Sequence, residues 1–444
     1  MATPNVEYTT SFTHTLRTMV KKLWTKLVKF TKFIKEIGQD DPRRFIHSFK
    51  VGLAVVLIYI LHHFRPSFYG FGDNIIWAVL TVVIVLELSV GATLGKGFNR
   101  MLATWLGGAL GVASNKIATL CGDKGRVVMT SIFVFVIAER VTFMRFSPKL
   151  KARYDYGMII FILTFCLVSL SDESGNELLE MAYERLFTII IGSSIAITVC
   201  IFICPVWIGK DLHNKIAGNI EKVADFLEGF GDEYFNDSEN SEDENNKEFL
   251  HKYKRALSSK NSEETMAVLA RWEPRHGRFR FRHPWKQYLK IGNLTRFCAY
   301  KVEALSVYLH NSKTPYEYRS RIQEPCTDIS MESGKALKEA SLMIKKMSKS
   351  SSPKVHVLNA KNAAESLKSV LRTNPWEGAD HLEIIPASTV ASLLIDIVVC
   401  VEQICEAVEE LASLANFVPS ESLHRGVVQP ISDSDGSVHV VSVA

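Results

Sequence analysis

The sequence predicts an all-α membrane protein, with a six-helix transmembrane domain followed by a cytoplasmic α-helical domain. Three observations predict it. Apolar runs close to the ~20 residues that a helix needs to cross a bilayer core fill 45–207. Charged sequence with apolar residues at helical spacing, and with no alternating strand pattern, fills 208–415. Lys and Arg also change sides from one short loop to the next, as they do when positive residues are retained in the cytoplasm. The whole-chain composition, 47% hydrophobic with a formal net charge of +5, averages over these unlike halves.

Residues 1–44 form a basic segment without the uninterrupted apolar core of a cleavable signal peptide. Leu16, Met19, Val20, Leu23, Trp24, Leu27, Phe30, Ile34 and Ile37 recur at helical spacing among six lysines. That pattern suits an interfacial amphipathic helix on an anionic leaflet, or a soluble helix packed on the C-terminal domain. The six expected spans are 47–64, 76–94, 98–120, 126–146, 154–171 and 182–207. Lys96, Arg100, Arg145, Lys149, Lys151 and Arg153 join the basic N-terminus on one side, and Arg65, Lys124 and Arg126 lie on the other. Both termini are therefore expected in the cytoplasm. The last outer loop is acidic, with Asp172, Glu173, Glu177, Glu180 and Glu184.

Glu87 falls inside the second expected span, where a charge costs roughly 2.5–3.5 kcal/mol on insertion scales. Gly91 and Gly95 follow it at i+4 and i+8, a face that lets another helix approach. Glu87 reads either as a proton or ion relay or as a carboxylate paired with a nearby Arg or Lys. In the third span Ala103, Gly107, Gly111 and Asn115 make a small-residue stripe for tight packing. Any one of Lys116, Arg140, Arg145 and Arg185 can snorkel to an interface, but they stand with Lys96, Arg100, Arg126, Lys149, Lys151 and Arg153. Together they give the spans far more basic than acidic groups, and rings of Arg and Lys attract anions.

The second half is expected to be helical over 210–230, 249–272, 286–310, 327–348, 357–372 and 386–415, with an acidic disordered loop at 232–248 and a disordered tail at 416–444. Ser238, Ser241, Ser350, Ser351, Ser352, Ser432 and Ser434 are candidate sites for kinases. The stretch 272–285, WEPRHGRFRFRHPW, mixes arginines and aromatics, but its prolines and glycine mark a structural turn rather than a nucleic-acid surface, with Trp272, Glu273 and Pro274 holding it. The eight cysteines are scattered, without Cys-x-x-Cys or a histidine cluster, so neither a disulfide framework nor a zinc site is indicated. No phosphate loop, nucleophile elbow or metalloprotease motif occurs, so no enzyme activity and no cofactor are expected.

Three stretches, IIWAVLTVVIVLELSVGATLGKGFNR (75–100), KARYDYGMIIFILTF (151–165) and WEPRHGRFRFRHPWKQY (272–288), resemble the plant aluminium-activated malate transporter family, and the likeness runs from about 35 to 415. The resemblance implies a dimeric anion channel with six spans per subunit that passes malate, other dicarboxylates and inorganic anions. Among the anion-pathway candidates Lys96, Arg100, Lys116, Arg145, Lys149, Lys151, Arg153 and Arg185, it implies Lys96, Arg100, Lys149, Lys151, Arg153 and Arg185 in particular. It implies a gating role for Trp77, with Glu87 the second gating candidate, and a γ-aminobutyrate-responsive motif matched here by Phe202, Pro205, Trp207, Gly209, Asp211 and His213. Lys210 stands where that motif commonly has an acid, and Tyr69 stands where many members carry Asp. Asp73, Asp172, Glu173, Glu177 and Glu180 are the remaining oxygen donors for an external cation. The plasma membrane is the favoured location, with the vacuolar membrane as the alternative. A proton-coupled organic-acid exporter using Glu87 is the rival; a membrane-anchored scaffold leaves the basic spans without a role.

Overall fold

The structure, a computed structural model, describes residues 41–64, 75–171, 176–235, 249–310, 316–373, 376 and 381–419, with scattered positions between 21 and 39. The chain divides into two compact units, Met1–Ile208 and Gly209–Ala444. The described positions between 21 and 39 are helical, and Trp24 is exposed. The call on 1–20 lies outside the described residues.

In the first unit, α1 (Pro42–Phe64), α2 (Ile75–Val85), α3 (Val90–Thr119), α4 (Gly122–Met144), α5 (Pro148–Ser169) and α6 (Asn176–Phe202) follow one another. One helix over 76–94 and another over 98–120 is corrected to a break at 86–89, after which α3 runs unbroken through Lys96 and Arg100. Ser89 is the N-cap: its backbone is extended and its side chain accepts from Ala92 N at 3.3 Å, which starts a helix where hydropathy sees none. Glu87 therefore lies in the break, off the helix face that carries Gly91 and Gly95. The freed backbone groups find new partners, with Glu87 N donating to Thr93 Oγ1 at 3.0 Å and Val90 N to Val206 O at 3.1 Å.

α3 packs on α2, α4, α5 and α6. A Cβ added to Gly107 would stand 2.8 Å from Phe161 O, and one on Gly111 would stand 2.8 Å from Val168 Cβ, so these glycines let α3 and α5 approach closely. Ser114 and Ser169 share a hydrogen bond at 2.8 Å across the same contact. Ala54, Ile58, Ala78, Val82, Ala196 and Val199 form the core among α1, α2 and α6. Phe49, Tyr59, Phe135 and Phe143 remain exposed on the outside.

Among the described residues, four helical segments are long and apolar enough to cross a membrane: Pro42–Phe64, Lys124–Met144, Asn176–Phe202 and Glu383–Leu414. Fold and composition make this an all-α membrane protein. α3 carries Lys96, Asn99, Arg100 and Asn115 along its length, and the first two turns of α5 carry Lys151, Arg153 and Asp155.

The second unit is built from α7 (Ile208–Phe235), short α8 (Phe249–Lys252), α9 (Lys254–Leu257) and α10 (Lys260–Ala270), then α11 (Trp285–His310), α12 (Tyr316–Ser320), α13 (Gln323–Lys346), α14 (Ser352–Arg372) and α15 (His381–Leu414). One expected helix over 249–272 is thus three short ones. α15 is apolar because it is central, burying Val390, Leu394, Ile397, Val401, Ile404, Val408 and Leu411 against α11, α13 and α14. Two further expectations are corrected. Residues 232–235 complete α7 because Tyr234 and Phe235 are buried anchors, while 236–248 lies outside the described residues. Residues 416–419 are ordered: Met347 ends α13 with φ 48°, and β1 (Ser348–Lys349) then pairs in parallel with β2 (Val418–Pro419).

Candidate functional site

Three buried positions mark one face of α1: Lys50, Ala54 and Ile58, spaced by one turn each. Lys50 is 1% exposed and its Nζ donates to Cys204 O at 3.1 Å. α6 has ended at Phe202, and Cys204 takes φ 41°. The carbonyls at a helix C-terminus lack intrahelical donors and favour a cation, so Lys50 satisfies both needs. Thr93 Oγ1 and Cys200 Sγ, 3.4 Å apart, tie the start of α3 to the same end of α6.

One turn into α3, Lys96 forms an ion pair with Glu87 from the break and lies 5.8 Å from the Tyr156 ring centre. A further turn along, Arg100 is 3% exposed, and its Nη1 donates to Tyr156 Oη at 2.9 Å. Its Nε is buried without a hydrogen-bond partner. Among the described residues no carboxylate pairs with Arg100 or Lys50. A buried charge costs several kcal/mol unless something neutralises it. Each of these two cations is instead held by one neutral oxygen, Cys204 O for Lys50 and Tyr156 Oη for Arg100.

The other candidates divide. Arg145 forms a two-pronged pair with Asp155, at 2.8 and 3.4 Å, so its charge is already met within the chain. Lys151 and Arg153 are exposed at the start of α5, where Arg153 stacks 5.2 Å from the Tyr154 ring and its carbonyl accepts from Asn99 at 3.1 Å. Lys149 is described by its backbone alone. Lys116 is exposed in the last turn of α3, ~30 Å along the helix from Lys96. Arg185 of α6 stands over the Trp77 ring of α2 at 4.6 Å, a cation–π contact joining a pathway candidate to a gating one. It lies ~22 Å along α6 from Cys200.

The remaining calls do not assemble into one site. Phe202 and Pro205 are exposed, Trp207 is half-buried, and Asp211 is half-buried on α7 of the second unit. Glu177 and Glu180 are exposed in the first turns of α6, whereas Asp73, Asp172 and Glu173 lie outside the described residues. Ser238, Ser241, Ser432 and Ser434 also lie outside them. Among the described residues no group of three or more His, Cys, Asp or Glu side chains could hold a metal ion.

In the second unit the Trp272–Pro274 motif closes a turn. Buried Glu273 accepts from Gly209 N at 3.1 Å, and any Cβ on Gly209 would meet the Trp285 ring at 2.6 Å. Tyr288 Oη joins His213 Nδ1 at 2.9 Å to His283 Nε2 at 3.2 Å. Burial pushes both imidazoles down to about 4, and His213 and Arg280 push His283 the same way, so the cluster is neutral in the cytoplasmic pH range.

Sequence reasoning missed Lys50, Tyr156 and the Thr93–Cys200 contact. Lys50 was legible in one respect, since it shares the i, i+4, i+8 face of Ala54 and Ile58 within α1. Tyr156 carried no signal beyond its place near Arg153.

The first unit is thus an assembly of apolar helices holding two buried cations, Lys50 and Arg100, that pair with no carboxylate among the described residues. A family model described as aluminium activated malate transporter matches residues 35–376. The chain is 45% identical over 419 residues to aluminum-activated malate transporter 2 of Arabidopsis thaliana, covering 92% of this chain and 84% of that protein. It is 39% identical over 427 residues to aluminum-activated malate transporter 1 of Triticum aestivum, covering 94% and 92% respectively. The chain belongs to the aluminium-activated malate transporter family, which is a family of transporters and not of enzymes.

Proposed function

We propose that the protein is a passive channel for malate and other organic or inorganic anions across a plant membrane, with the basic pathway formed in a homodimer. The observation that carries this reading is Arg100: a guanidinium 3% exposed, held by a tyrosine and left without a carboxylate, one turn from Lys96 and on the helix most enclosed by its neighbours. An anion that passes along α3 meets Lys96 and Arg100 in succession, and buried Lys50 adds positive potential within the same unit. Arg185 and Trp77 then stand at the opposite end of the path. On this reading α1 to α6 are six spans, both termini are cytoplasmic, and the second unit is a cytoplasmic domain. α15 is apolar as a core helix, and its open face carries Asp396, Gln403, Glu406 and Glu410. The plasma membrane is the proposed location, and fractionation of the tagged protein separates it from the vacuolar membrane.

Two-electrode recording from the expressed protein tests the proposal. Current that reverses at the equilibrium potential of malate or chloride, and ignores external pH, supports the channel. Reversal that moves with the proton gradient replaces it with a proton-coupled exporter. That rival needs Glu87 to titrate during transport, yet Glu87 is committed to Lys96 as an ion pair.

A further inference from the structure

One half of the 272–285 motif serves the core, and the other half faces a cavity that the transport reading leaves unused. His276 and Phe279 exchange backbone hydrogen bonds at 2.9 and 3.2 Å around Gly277, whose φ is 51°. This tight hairpin buries Phe279 and turns Arg275, Arg278 and Arg280 outward. With Lys346 at the end of α13 and Asn416 and Phe417 beyond α15, they line a cavity of about 290 Å³, the lower end of the range for small-ligand sites.

The cavity has no acidic lining residue. Among the described residues, no carboxylate pairs with any of its four cations. Their partners are neutral instead: Arg278 Nη1 donates to Lys346 O at 2.7 Å, and Arg280 donates to the Asn416 amide oxygen at 2.6 and 3.2 Å. These bonds fix the guanidinium planes without cancelling charge. Neighbouring cations are treated differently, since Lys345 pairs with Glu221, Lys354 with Glu409 and Lys290 with Glu410. Left-handed turns at Gly277, Met347 and Asn416 bend three separate chain segments around the opening. Two of the three guanidinium forks, those of Arg278 and Arg280, are thus held in place, and such planar forks match phosphate and carboxylate oxygens in two-pronged fashion.

We propose that this cavity binds a condensed or clustered phosphate group, carried either by a soluble molecule such as a nucleotide or by an inositol-phosphate lipid headgroup. Four cations exceed the two charges of a dicarboxylate, whereas pyrophosphate carries about three charges near neutral pH and offers six terminal oxygens to the forks. The site is separate from the α3 path and does not rest on the channel reading.

The test uses the full chain in nanodiscs of phosphatidylcholine. Pyrophosphate is titrated by calorimetry, and in a second arm nanodiscs containing a phosphatidylinositol bisphosphate replace the neutral ones in thermal unfolding. The double variant Arg275→Gln/Arg280→Gln is compared with Lys345→Gln, which removes a paired cation from the same helix end. Pyrophosphate binding that weakens about tenfold or more in the double variant, and not in Lys345→Gln, establishes a soluble phosphate ligand. Stabilisation only by the phosphoinositide, lost in the double variant, establishes the lipid source. Binding and stabilisation that are absent in both arms, or equal in wild type and double variant, overturn the proposal. An unchanged unfolding temperature of the ligand-free double variant shows that it is folded.

Discussion

Two buried arginines, Arg296 in the second unit and Arg100 in the first, are treated in opposite ways. Arg296 in the second unit is 7% exposed and is surrounded: Glu263 accepts at 2.6 Å, Asn293 at 2.6 Å and Ser259 at 3.1 Å, while Asn219 holds the other Glu263 oxygen at 3.1 Å. Arg100 in the first unit is 3% exposed and has a tyrosine hydroxyl. A neutralised, fully hydrogen-bonded charge is part of the architecture, and removing one partner strands the other. A buried charge without a counter-charge is costly to keep, and the family's business with anions supplies a reason for keeping it. The contrast separates a cation neutralised within the fold from one that is not, a distinction that charge counting along the chain does not make.

The comparison breaks first at its structural side. Glu263→Gln should destabilise the second unit by about 3–5 kcal/mol, read as a lowered unfolding temperature, because Arg296 is left uncompensated in the core. An unfolding temperature close to wild type would remove the architectural reading of that pair. Acid should loosen the same unit next. His213 and His283 have folded values of about 4 against an ordinary 6.5, so between those values the unfolded chain binds more protons than the folded one. Stability is then full above pH ~6.5 and falls as pH drops toward ~4, the opposite sign to a histidine gaining a carboxylate partner. Unfolding temperatures across that window in the His213→Gln/His283→Gln variant, flatter than in wild type, check the assignment.

On the functional side, Arg100→Gln should lower malate current by about tenfold, the loss of roughly 1.4 kcal/mol of anion stabilisation, while leaving the unfolding temperature near or above wild type. Loss of current together with loss of folding would place Arg100 with Arg296 instead. The smallest effect is expected at Arg145. Because Asp155 already meets its charge, the swap Arg145→Asp/Asp155→Arg should keep current within about twofold of wild type, a change well under that at Arg100. A swap that abolishes current at normal surface expression would return Arg145 to the pathway.

Much of the architecture was written in periodicity and hydropathy: every helix of the first unit lies at or near an expected apolar run, and the Gly107–Gly111 stripe sits against α5. What escaped had a common cause, namely that partners distant in sequence decided it. Leu86 and Leu88 keep the apolar run alive through the break, so only the Ser89 cap and the contacts to Val206 reveal it. Lys50 near the start of a span reads as a snorkelling side chain, and the carbonyl that buries it is 154 residues away. Arg145 looked like a free loop cation until α5 delivered Asp155. The ordered stretch 416–419 has polar, turn-like sequence and is held by pairing with 348–349.

The break at 86–89 has a further consequence. α2 is 11 residues, ~16 Å of rise, about half of a ~30 Å hydrocarbon layer. On the six-span reading, then, the chain stops being helical part-way through the membrane. Oil cannot solvate open backbone, so such an interruption persists only where protein encloses it or water reaches it. Protein contacts account for Glu87 N and Val90 N, while the Glu87 side chain remains more than a third exposed. On that same reading the exposed carboxylate needs water beside it, and the interruption becomes a wetted notch that shortens the stretch of membrane an ion must cross unaided.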